Sequence, residues 1–89
     1  MKVDELVEMR VGVCGGQPCV KGWRLPVKFI YQMLDEGWSP EDIVKYHYPF
    51  LRLDIVKELA AHRHEVEALI TKWKNSKRRA TVEHENKAA

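Results

Sequence analysis

The sequence predicts a mainly α fold: a small three-helix unit of helix-turn-helix outline, with an N-terminal β-hairpin before it and a long C-terminal helix behind. Three observations carry this. The stretch Cys14–Val27, CGGQPCVKGWRLPV, holds three glycines and two prolines among short apolar pieces. Beyond it, apolar residues recur at three- and four-residue steps in segments separated by Gly37 and Pro49. From residue 50 onward there is neither glycine nor proline.

The hairpin comes first. Gly15 and Gly16 reach positive φ without steric cost, and Pro18 biases Gln17 to extended geometry, so the run reads as a tight reversal. Its apolar flanks, residues 9–13 and 19–21, are the expected strands. Residues 1–8 are amphipathic but short, equally a helical turn or a docking arm. Gly22 breaks the second strand, and Pro26 suits a first helical turn, where a missing N–H costs nothing.

The first helix is expected over 26–36, with Val27, Ile30, Met33 and Leu34 as its apolar stripe and Phe29 widening it. Gly37 suits the position just past its end. Ser39-Pro40-Glu41-Asp42 opens a second helix: Ser39 caps, Pro40 takes the first turn, and the acids complement the helix N-terminus. That helix ends near Tyr46 or His47, because Pro49 forces Tyr48 extended; Ile43, Val44 and Tyr46 are its inward candidates. A third helix is expected unbroken over 53–75, with Ile55, Leu59, His62, Val66, Leu69 and Trp73 as a heptad seam. Its second half has no helix left in the chain to cover it, so Val66, Leu69, Ile70 and Trp73 are expected to face a partner. Residues 76–89 lack apolar periodicity and read as a tail. The division is thus 1–65, hairpin plus helical unit, and 66–89, helix extension and basic tail.

Composition narrows the function classes. With 89 residues, 45% hydrophobic and 31% charged, the chain has the make-up of one small globular domain. No apolar run nears the roughly 20 residues that span a bilayer, so a cytoplasmic protein with no membrane role is expected. Cys14 and Cys19 flank the reversal and are able to face each other, yet a reducing cytoplasm keeps thiols apart. The net charge of +2 permits nucleic-acid binding without arguing for it. No CxxC, HxxxH or HExxH spacing occurs, and His62 and His64 leave a helix on different faces, so neither metal, cofactor nor catalysis is expected. Arg52 and Lys57 stand where a groove-reading helix would contact DNA, with Lys21 and Lys28 adding backbone charge; the interleaved Asp54 and Glu58 oppose this. Trp23 is a candidate partner contact. Arg24 reads as a clamp on the connector or as a phosphate contact.

The motif GGQPCVKGWRLPV, followed by an amphipathic helix and then GWSPEDIVKYHYPFL, resembles the DUF433 family over residues 8–63. Gly15, Gly16, Pro18, Gly22, Arg24, Pro26 and Ser39 carry the likeness. The resemblance implies a helix-turn-helix, homeodomain-like fold and an antitoxin role in a toxin–antitoxin pair: a homodimer that binds operator DNA and masks a PIN-like toxin. The alternative is a protein-interaction module with this fold but no DNA contact. Two departures stand out. Trp23 occupies a position where the family has a small hydroxyl residue. The turn at Leu51–Ile55 lacks the Ser or Thr cap.

Overall fold

A computed structural model describes the backbone of residues 1–88 and the side chains of residues 1–76. It is mainly helical, with a small antiparallel β-hairpin near the N-terminus. In chain order the elements are α1 (Val3–Leu6), β1 (Val7–Glu8), a short 3-10 turn (Cys14–Gly16), β2 (Cys19–Val20), α2 (Val27–Asp35), α3 (Pro40–Tyr46), α4 (Leu53–Ala61) and α5 (Arg63–Ala88).

The strands pair with Val7 opposite Val20 and Glu8 opposite Cys19. The first strand therefore precedes the expected segment 9–13. Burial decides the register: Leu6 and Val7 reach the core, whereas Val11 is fully exposed and Gly12 sits at φ 81°. That φ does not suit a regular strand, and residues 9–15 loop outward instead, before the chain returns to a buried Pro18. Cys14, Gly15 and Gly16 follow with φ of 52°, 67° and 84°, a left-handed run that glycine supplies cheaply and Cys14 does not.

Helix α2 buries Val27, Ile30 and Tyr31. Phe29, expected to widen this face, points outward, and Tyr31 takes the inner place with its hydroxyl donating to the Leu59 carbonyl at 2.9 Å. The helix closes as expected: Gly37 has φ 99°, its N–H meets the Leu34 carbonyl at 3.1 Å, and the Trp38 N–H meets that of Met33 at 3.0 Å. In α3 the Ser39 Oγ accepts from the Asp42 N–H at 3.2 Å. Ile43 is inward, but Tyr46 is 60% exposed, since a seven-residue helix packed through Ile43 turns it to solvent. At α4 no side chain of Arg52 caps; Asp54 serves the first turn, its Oδ1 accepting from the Ile55 N–H at 2.9 Å.

The expected unbroken third helix is divided at His62, whose φ −99° and ψ 20° leave helical geometry. The break lets α5 turn back over α2, so that Leu59 and Val66 both reach 0% exposure. Val66 is thus core, and Leu69 and Ile70, partly buried, pack against that core. Arg63 fixes the turn with a bidentate pair to Asp35, at 2.7 and 2.8 Å. The backbone of α5 stays helical through 76–88, where a tail was expected; Lys, Arg, Ala and Glu there are good helix formers. The side chains of 77–89, His84 among them, lie outside the described residues.

Candidate docking surface at the hairpin and the α3–α4 turn

Gly22, at φ 85°, turns the chain sharply after β2, and the Trp23 N–H closes that turn on the Val20 carbonyl at 3.0 Å. Trp23 is thereby pushed outward, 45% exposed, with its ring centroid 4.6 Å from that of Phe50, itself 48% exposed. Phe50 stands edge-on to Tyr48 at 5.9 Å, and Tyr48 neighbours His47 at 6.3 Å. His47 meets Trp38 edge-on at 4.6 Å, and Trp38 lies 6.2 Å from Tyr46. These six rings form one file from the connector across the α3–α4 turn. Edge and tilted contacts of this kind favour the rings holding one another in place.

Beside the Trp23 end opens a hollow of about 390 Å³. Leu6, Val20 and Leu51, all buried, contribute apolar wall, and Lys21, Arg52 and Glu5 contribute charge. Lys21 Nζ donates to the Asp4 carbonyl at 3.3 Å, and Arg52 donates to Asp54 at 2.6 Å. Lys57 pairs with Glu41 of α3 at 3.5 Å. Lys28 lies apart, along a groove between α2 and α5 with Asp35, Arg63 and Glu67. The four cations read as DNA contacts are therefore not one patch: two share the hollow, one is paired across α3 and α4, and one is elsewhere. Arg24 is exposed and clamps nothing among the described residues.

Of the residues read as partner contacts, Trp23 alone stands well out from the surface. Trp73 is half-buried, its Nε1 donating to the Gly15 carbonyl at 3.3 Å. The file formed by Trp38, Tyr46, His47, Tyr48 and Phe50 was missed from sequence, although the run Tyr46-His47-Tyr48-Pro49-Phe50 was its signal. Pro49 helps to end α3 at Tyr46, so Phe50 leaves the helix and stays exposed while Tyr48 is only partly buried.

Charge chemistry is local. The Arg63 guanidinium holds the Asp35 carboxyl below the usual carboxylate range, and hydrogen bonds to Asp35 and Glu67 raise the Arg63 guanidinium above its own. Burial pushes the Tyr31 hydroxyl up, and the Cys19 thiol up to about 12. No group of three metal-ligating side chains occurs among the described residues. Nor is any described helix long and apolar enough to cross a membrane.

Compared with known proteins, the chain matches over residues 7–62 the family model described as "Protein of unknown function (DUF433)". The chain belongs to the DUF433 family. No curated protein and no solved structure matches it. The matched span of the DUF433 domain takes in β1, the loop, the connector and α2–α4, so the whole ring file lies inside it.

Proposed function

We propose that this DUF433 domain is an antitoxin-type, non-catalytic binding protein that docks on a partner nuclease through the exposed ring file. One observation carries the reading: Trp23 and Phe50 lie against each other, both nearly half-exposed, next to an apolar hollow with charged residues at its edge. Aromatic anchors that are already fixed lose little entropy on binding and dominate interface energies. The direct test is inhibition of a PIN-like nuclease encoded beside the gene. Wild-type protein should suppress cleavage, and Trp23→Ala with Phe50→Ala should weaken suppression at least tenfold while circular dichroism stays unchanged. Equal suppression by the double variant would refute this surface.

A second reading, operator binding, is favoured by Arg52 and Lys57, which are 74% and 55% exposed near the start of α4. In this reading α2, α3 and α4 act as a homeodomain-like helix-turn-helix. A homodimer would set two α4 helices at half-sites about 34 Å apart. The ion pairs to Asp54 and Glu41 compete with phosphate for both cations, which makes DNA the weaker of the two readings. Gel shift of the upstream region at two salt concentrations tests it: binding should fall steeply with salt and with Arg52→Ala or Lys57→Ala.

A further inference from the structure

We propose that Cys14 and Cys19 form an oxidation-sensitive dithiol, a modification site at which a hydroperoxide closes an intramolecular disulfide and thereby alters the hold on α5. The two cysteines are five positions apart across a turn closed by the Gln17 N–H on the Cys14 carbonyl, at 3.3 Å, with the Cys19 thiol on the Gln17 carbonyl at 3.4 Å, and the Cys14 side chain adds to burial in raising the Cys19 thiol. Both are free thiols.

Their surroundings assign different roles. Cys19 is 1% exposed and fixed from two sides: β2 pairs with β1, and Cys19 bridges to Pro26. Its Sγ donates to the Gln17 carbonyl at 3.4 Å, and burial pushes its thiol up to about 12. Cys14 is only partly buried, on the outward loop and in the left-handed region at φ 52°. Local turns hold that loop, with Val13 closing on Arg10 and Gly16 on Val13, together with the Trp73 indole on Gly15. The accessible sulfur is therefore Cys14, and the resolving sulfur is Cys19.

The chemistry balances. The Cys14 sulfur, having lost its proton, attacks one peroxide oxygen; the O–O bond breaks, and the departing hydroxide takes up that proton as water. This leaves Cys14 as a sulfenic acid. The Cys19 sulfur then attacks the Cys14 sulfur, the S–S bond forms, the S–O bond breaks, and hydroxide leaves with the Cys19 proton as a second water. Two thiols lose two electrons in all, and the peroxide gains them. Proximity compensates for the weak nucleophilicity of a buried thiol.

The bond has a structural consequence because Cys19 is anchored by strand pairing, whereas Cys14 is held by local turns. Closing to an S–S bond of about 2 Å draws the loop toward β2. Gly15 follows Cys14 directly, and its carbonyl is the acceptor for Trp73 Nε1. Oxidation thus changes the contact through which α5 rests on the hairpin loop.

Trypsin provides the test, because cleavage after Arg10 and Lys21 places both cysteines on one methionine-free peptide, residues 11–21. The reduced full chain is treated with equimolar hydrogen peroxide, alkylated with N-ethylmaleimide and digested. The expected product is that peptide unlabelled and lighter by two hydrogens, from a protein that remains in its original oligomeric state. Dithiothreitol should restore two maleimide sites. Cys19→Ser should accumulate a dimedone-reactive Cys14, whereas Cys14→Ser should stay unreactive. Tryptophan emission should shift on oxidation in the wild type and not in Trp73→Phe. Two labels after peroxide, or disulfides only between chains, would overturn the dithiol. A closed bond with unchanged emission would overturn its link to α5.

Discussion

Trp23 and Tyr31 are both large aromatic residues in apolar surroundings, and they differ in what holds them. The Tyr31 hydroxyl has a buried partner in the Leu59 carbonyl of the last turn of α4. Tyr31→Phe should therefore lower stability by about 1–2 kcal/mol, the usual cost of leaving a buried acceptor without its donor, as read by urea denaturation. Trp23 follows a glycine turn that keeps it out of the core. Trp23→Ala should leave the unfolding free energy within about 0.5 kcal/mol of wild type, because a half-exposed ring away from the core gives up little on truncation. The same pair of measurements thus separates a ring that holds the fold from one offered to a partner.

At the scale of elements, the helix boundaries were legible in the sequence because local chemistry writes them. Gly37 at φ 99° and Ser39 under the Asp42 N–H end one helix and start the next without help from distant residues. A Cβ placed on Gly37 meets nothing within 4 Å, so Gly37→Ala should cost only the left-handed penalty, about 1 kcal/mol by thermal melting. A larger loss would mean a clash that the open space around Gly37 does not predict. The division at His62 was not legible. His62 has no special backbone requirement, and its flanking residues continue the heptad spacing. Only the competition between a straight helix and the burial of Val66 decides it.

For the whole molecule, the bend at His62 settles which apolar surface is spent internally. Val66, Leu69 and Ile70 close the core from above, so a chain ending at His64 should be destabilised by roughly 3–5 kcal/mol, in line with removal of a large core contact. Denaturation of that truncation against full length checks it; a seam reserved for another chain would leave the monomer's stability unchanged. The Arg63–Asp35 pair pins the same bend and sets a pH dependence. The folded Asp35 carboxyl lies below its unfolded value, so its contribution is present above about pH 4 and is lost as pH falls through the folded value. Melting temperature should fall between pH 7 and pH 3, and less so in Asp35→Asn. Because the Asp35 side chain is 62% exposed, screening keeps the effect small.

By itself the sequence determined the helical class, the caps at Ser39 and Gly37, the glycine-proline connector and the family, because each rests on residues close together in the chain. Tertiary structure alone decided the strand register, the turn at His62 and the gathering of six rings into one file. Those depend on which apolar groups find cover at long range, and a one-dimensional pattern of three- and four-residue steps reads the same whether its cover comes from the chain's own core or from another molecule.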